Sequence, residues 1–213
     1  MPLLTMNRRF ALTAMAAAGV LGTLPAAAAE LPRDTSATAR QLVRWATETG
    51  DHQGLPFAVI DKPTARIHVF SAQGQWLSSA PVLLGAALGD RSAPDIGQRP
   101  LSQIRPEERT TPAGRFVTEP GRNLRGDDIV WIDYESAVSL HRVRSVHAAE
   151  RRQQRLASRG VSDKRISYGC VNAPEAFYNQ FIAPVFGQAR GVVYVLPDTE
   201  SFATFFIAAS AYP

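Results

Sequence analysis

The 213-residue chain is 45% hydrophobic and 20% charged, enough apolar material for a globular core. Its single cysteine excludes an internal disulfide, a CxxC redox pair and a cysteine-rich zinc or iron–sulfur centre, and four scattered histidines (His52, His68, His141, His147) suggest no metal site. The formal charge of +4 falls to +2, 21 basic against 19 acidic groups, once Arg8 and Arg9 are assigned to a removable leader, which is too little to argue for nucleic acid.

That leader spans residues 1–29. Asn7, Arg8 and Arg9 precede the apolar run Phe10–Leu24, and Ala26–Ala29 supply small-residue cleavage sites. Thr13, Gly19, Gly22, Thr23 and Pro25 break the run, so it makes a poor permanent span. Export to the periplasm or cell envelope is the expectation, with no stable membrane span after cleavage. The Arg8-Arg9 pair leaves the choice of general or twin-arginine route open.

The remaining 184 residues fit one domain, with a helical lead-in (30–54), a main body (55–197) and a helical tail (198–213). Thr35–Thr49 carries Ala39, Leu42, Val43 and Ala46 on one helical face. Phe57–Ile60 is an apolar strand, Asp61-Lys62-Pro63 a turn, and Arg66–Phe70 an alternating strand with Ile67 and Val69 inward and His68 on the exposed side. Trp76–Leu84 reads as a third strand. Gly85–Pro112, rich in Gly, Pro, Asp and Ser, reads as a long irregular loop of the kind that often carries function. Phe116-Val117, Ile129–Tyr134 and Ala137–His141 resume the strand pattern. Ala148–Ser158 is a polar helix, Asn172–Phe186 begins as a helix, Gly191–Leu196 is a buried last strand, and Ser201–Ala211 a short terminal helix. The order predicts a mainly β sandwich or barrel with α additions.

The segment Ile166–Glu175 concentrates the chemistry. Asn172 and Glu175 have capping-box spacing, with Pro174 in the first turn, which would place Cys170 just before a helix N-terminus. The positive end of such a helix would stabilise a thiolate. Gly169 would leave room for a substrate carbonyl, with the N–H groups of Gly169 and Cys170 as oxyanion donors. A nucleophilic cysteine needs a base, and His141, at the end of a strand, is better held for that role than His52, His68 or His147. A buried, inert thiol is the alternative.

Ser167-Tyr-Gly-Cys-Val-Asn172, with its upstream strand-ending histidine, resembles the active-site motif of the L,D-transpeptidases (the YkuD-type catalytic domain). Thr111-Pro-Ala-Gly-Arg-Phe116 is similar to that family's Thr-Pro-x-Gly-x-Phe segment, so the resemblance extends over about residues 55–197. It implies an L,D-transpeptidase-like β-sandwich or barrel with a helix after the cysteine. Cys170 would be the nucleophile and His141 the proton acceptor and donor, its imidazole oriented by a nearby backbone carbonyl. Gly169, Ser167 and Tyr168 would support the oxyanion, and Arg142, Asn172 and Thr111 would bind substrate. The substrate would be a peptidoglycan stem peptide, cut between diaminopimelate and D-alanine and passed as a thioester to an amine, with no metal or organic cofactor. Carbapenems acylate the cysteine in many members. Water as acceptor would make the protein a carboxypeptidase or amidase, and a degenerate domain would only bind wall peptides.

Three positions depart from the family pattern. Tyr168 stands where histidine is frequent. Arg142, able to meet a carboxylate, follows His141 in place of Gly or Ser. The 29 positions from His141 to Cys170 exceed the usual interval, the excess being the arginine-rich stretch Ala148–Lys164. That stretch is either a solvated surface helix or a lid gripping anionic substrate through Arg151, Arg152 or Arg155.

Overall fold

The computed structural model describes residues 31–144 and 147–212. The leader therefore lies outside the described residues. Ten strands dominate: β1 (Phe57–Asp61), β2 (Arg66–Phe70), β3 (Trp76–Pro81), β4 (Leu84–Gly85), β5 (Gly114–Arg122), β6 (Asp128–Asp133), β7 (Val138–Arg142), β8 (Arg165–Ser167), β9 (Val171–Ala173) and β10 (Gly191–Val195). Eight form one sheet in the order β3-β2-β1-β10-β5-β6-β7-β9, while β4 and β8 pair separately. The fold is thus mainly β with α additions.

The sheet curls into a nearly closed barrel. Two residues after β3 ends, Leu83 exchanges both backbone hydrogen bonds with Asn172 of β9, 2.9 Å each way, so the two edges of the sheet nearly meet. The predicted third strand is accordingly divided: β3 serves β2, Leu83 bridges to β9, and β4 pairs with β8.

Alternation sorts the side chains into two cores. Ala58, Ile60, Val193 and Val195 face an inner core closed by Phe177, Tyr178, Ile182 and Phe186. The last four lie on α3 (Glu175–Phe177), a π-helical turn (Tyr178–Ile182) and α4 (Ala183–Phe186). Phe57, Val59, Val192 and Tyr194 face outward under α1 (Ala37–Thr49) and the tail helices α5 (Phe202–Phe205) and α6 (Ile207–Ser210). Because β1 and β10 are covered on both faces, Phe57–Ile60 and Val192–Val195 read as apolar runs without polar alternation. The α1 face is the predicted one: Ala39, Leu42, Val43 and Ala46 are buried, and Ser36 caps the helix through Ala39 N–H.

His68 corrects the sequence reading. It pairs across the ladder with Val59 on the face that α1 covers and is fully buried, its Nδ1 2.7 Å from Ser79 Oγ. Polar alternation marks its side of the strand correctly, but a helix rather than solvent covers that side. The long segment after β4 is irregular as predicted, with short 3₁₀ turns at Ile96–Gln98, Leu101–Gln103 and Pro106–Glu108. Lys62 ties it down from a fully buried position, donating to Asp90 Oδ1 and to the carbonyls of Gly89 and Thr111, each at 2.7 Å. Among the described residues no helix is long and apolar enough to cross a membrane.

Candidate active site

The site is assembled by strand register. β7 and β9 run parallel with Leu140 opposite Val171, His141 opposite Asn172 and Arg142 opposite Ala173. Residues two apart share a face, so Ser139 and His141 line up with Cys170 and Asn172 on one side, while Leu140, Val171 and Ala173 enter the core. This pairing closes the 29-position gap between histidine and cysteine.

The sulfur sits in a polar socket. Ser139 N–H donates to Cys170 Sγ at 3.5 Å, the Ser139 hydroxyl lies 3.6 Å away, and the Ala137 carbonyl accepts from the thiol at 3.6 Å. Ala137 holds a left-handed φ of 55° in the turn before β7, the kind of local backbone strain that accumulates at functional sites. Burial alone would raise the Cys170 pKa. Hydrogen bonding and charge from His141, together with the two Ser139 groups, outweigh it, and the thiol falls below its ordinary value.

His141 is oriented by a backbone carbonyl, that of Arg142, 2.7 Å from Nδ1. A carbonyl can only accept, so Nδ1 carries the proton and Nε2 is left with the lone pair a base requires. Asn172 Nδ2 stands 3.2 Å from Nε2.

The expected helix-terminus activation of the thiol does not hold. Cys170 is followed by β9, Pro174 occupies the helix cap without a side-chain bond, and Asn172 lies mid-strand. The capping-box spacing is overridden by the long-range pairing of β9 with β7 and Leu83. Helix-dipole stabilisation is replaced by Ser139 and His141.

The turn carrying the cysteine is stapled from within. Ser167 Oγ donates to the Cys170 carbonyl at 2.6 Å and accepts from Gly169 N–H at 3.1 Å. The Gly169 N–H is therefore occupied and not free for an oxyanion. Among the described residues the Cys170 N–H has no partner, leaving it as the available donor. Gly169 has a reason of its own to lack a side chain. With φ +134°, a Cβ there would stand 2.7 Å from the Thr110 carbonyl oxygen, so glycine is required by the backbone beneath it.

The other predicted residues divide. Tyr168 borders the cleft, 37% exposed, with the Arg109 guanidinium 4.3 Å above its ring. Thr111 does not reach the cleft. It is 0% exposed, and its hydroxyl accepts from Gly85 N–H at 2.9 Å and donates to the Gly169 carbonyl at 2.8 Å. Thr111 thus supports the cysteine turn from beneath the cleft. Arg142 points away from His141, one residue along an alternating strand, and is engaged by Asp128 and Asn179 at 2.7 Å each and by the Tyr178 ring at 4.3 Å. Asn172 is 0% exposed, with its amide committed to its neighbours.

A cleft of about 230 Å³ opens over the sulfur, lined by Leu101, His141, Arg144, Arg152, Ser167, Tyr168, Cys170 and Asn172. A larger cavity of about 660 Å³, bordered by Asp95, Trp131, Tyr134 and Glu135, reaches the site at Ala137. Sequence reasoning missed Ser139, Ala137, Leu101 and Arg144. Ser139 was legible, two residues before His141 on the same strand face. The arginine-rich segment is more than a solvated helix. Its α2 (Arg152–Ala157) buries Leu156 against Leu83 and Val143, and Arg152 reaches the cleft, whereas Arg155 bonds within the segment and Arg151 is exposed.

Fold and side chains together define a class of site: a thiol and an imidazole on the edge of a β-rich sheet, with the Cys170 N–H unpartnered among the described residues. Such a site can attack a carbonyl, hold the resulting oxyanion and move a proton between sulfur and a leaving nitrogen. No family model matches the chain, and no curated protein matches it.

Proposed function

We propose that this protein is an exported cysteine acyltransferase of the L,D-transpeptidase type, acting on peptidoglycan stem peptides in cell-wall biogenesis. The observation that carries the reading is the meeting of the two motifs in space. Thr111 of Thr-Pro-Ala-Gly-Arg-Phe holds the carbonyl of Gly169 in Ser-Tyr-Gly-Cys, and the cysteine so placed faces Ser139 and His141. An inert buried thiol needs neither a lowered pKa nor an oriented imidazole beside it.

His141 Nε2 takes the thiol proton, and Sγ attacks the carbonyl carbon between the L-centre of diaminopimelate and D-alanine. The Cys170 N–H receives the developing oxyanion. Collapse breaks the C–N bond, the imidazolium protonates the departing D-alanine nitrogen, and a thioester on Cys170 remains. An acceptor amine then attacks the thioester, giving its proton to Nε2, which returns it to the sulfur. With water as acceptor the same steps release a free carboxylate.

Incubation with tetrapeptide muropeptides tests this. Free D-alanine with a cross-linked dimer is the expected result, and tripeptide alone would assign the hydrolase. A carbapenem should leave a covalent adduct on Cys170 by mass spectrometry. Unchanged muropeptides and no adduct would refute the enzymatic reading in favour of a wall-peptide-binding domain.

A further inference from the structure

An open groove starts at the sulfur and leads away from it. The cavity of about 660 Å³ reaches the site at Ala137, whose carbonyl accepts from the Cys170 thiol. A second hollow of about 500 Å³ shares Trp131 and Tyr134 with it, so the two are continuous. The groove is built around an aromatic corner. Tyr134, in the turn between β6 and β7, is 76% exposed, and its ring stands 74° from that of Trp131 with centroids 5.2 Å apart. The indole is seated over β5, since a Cβ at Gly121 would stand 2.5 Å from Trp131 Nε1 and glycine leaves the ring its place. Among the described residues neither that indole N–H nor the exposed side chains of Asp95, Gln98 and Glu135 has a hydrogen-bond or ionic partner. In the second hollow the charges are already matched, Arg190 donating to Glu119 beside Val117 and Ile132.

These features select a ligand chemistry. The aromatic rings offer flat apolar faces, the carboxylate and amide oxygens accept from hydroxyls, and the indole N–H donates. A pyranose ring has the complementary parts, a C–H face and a rim of hydroxyls. An ammonium would suit carboxylates beside aromatic rings, but it would leave the second hollow, with its neutralised pair, without a role. A run of neutral sugar rings uses both. We propose that the groove binds a neutral oligosaccharide of N-acetylated hexoses, the glycan that carries the stem peptide, and so brings the attached peptide to Cys170. The choice of this sugar rests on the peptidoglycan reading of the site.

The test is titration of the protein with chitotetraose, a soluble tetramer of N-acetylglucosamine, followed by NMR of the Trp131 indole N–H, assigned with Trp131→Phe. That signal should shift to saturation, with an affinity almost independent of salt because the ligand is uncharged. Tyr134→Ala, at a site too exposed for the fold to rest on it, should weaken binding about tenfold through loss of one aromatic face. Trp131→Phe keeps a face and should bind better than Trp131→Ala. Glu135→Gln keeps an acceptor oxygen and should retain most of the affinity, and Ile207→Ala, on α6 and 74% exposed, should change nothing. No shift, or full-strength binding by Tyr134→Ala, would overturn the proposal. So would a groove that takes lysine amide instead, in a salt-sensitive way that Glu135→Gln abolishes, which would make it a cation site. With muropeptides, a disaccharide-linked tetrapeptide should have a lower KM than the free tetrapeptide, and Tyr134→Ala should erase the difference. The titration needs no catalysis: tetramer binding without turnover would sink the enzymatic reading and spare the groove, while turnover without tetramer binding would do the reverse.

Discussion

Thr111→Val offers a direct test of how the cysteine turn is held. Valine closely matches threonine in shape, so the perturbation is the loss of one hydroxyl with no new cavity. That hydroxyl joins Gly85 N–H at 2.9 Å to the Gly169 carbonyl at 2.8 Å, with all three residues buried. The variant strands one buried donor and one buried acceptor, at about 1–3 kcal/mol each, so stability should fall by about 2–6 kcal/mol. For a domain of this size that corresponds to a Tm lowered by about 4–24 °C. Lys62 still holds the Thr111 carbonyl at 2.7 Å, so the chain should stay folded while the Gly169 carbonyl is released. Calorimetry measures the first effect, and alkylation of Cys170 below the melting range measures the second, which should slow. Thr111→Ser keeps the hydroxyl and should lose only about 1 kcal/mol for its missing methyl, with alkylation preserved. If Thr111→Val melted with the wild type and alkylated at the same rate, the hydroxyl would not be what positions the nucleophile.

Three further outcomes are expected. The rate of Cys170 alkylation should titrate below the range of a free thiol, and His141→Ala should move the midpoint upward, because imidazole contacts help hold the thiol down; identical profiles would contradict the pairing. His68, buried and held neutral with a pKa lowered to about 4 chiefly by desolvation, should make the fold acid-sensitive. The unfolded chain protonates first, so this contribution is intact above about pH 6.5 and is lost as pH falls toward 4, up to about 3 kcal/mol. Urea titrations at several pH values should show that loss, and His68→Gln should flatten it. Gly169→Ala forces a Cβ against the Thr110 carbonyl at φ +134°. It should cost about 1–3 kcal/mol and displace the cysteine, seen as a lower Tm with slowed alkylation; wild-type values would show that the turn tolerates a side chain.

How much of this is written in the sequence depends on whether a feature is local. The α1 face, the apolar runs of β1 and β10 and the strand ending at His141 obey simple periodicities and are legible. Cys170 stands out because it is the only thiol in the chain. Asn172 misleads because Asn-x-x-Glu spacing is shared by helix caps and by a strand that happens to precede a helix; only its partners Leu140–Arg142 and Leu83 distinguish the two. Arg142 does not line the cleft, and alternation alone already places it opposite His141 in direction. Thr111 and His68 look accessible in one dimension and are buried by elements far along the chain, the Gly169 turn and α1. Arg152 carries no local signal, since nothing in an arginine-rich stretch marks which guanidinium will meet Asn172.

The parallel pairing of β7 with β9 has an architectural consequence. Parallel neighbours cannot be joined by a tight turn, so the chain must travel out and return between them. Because the register of the two strands fixes where base and nucleophile stand, the length and content of that excursion are uncoupled from the distance between them. The excursion is thus a natural site for exchange. A segment from another chain could be grafted between Val143 and Arg165, provided it supplies a side chain to dock against Leu83 and a cation to meet Asn172. Selection or engineering could then vary what approaches the thiol while the reacting atoms keep their places.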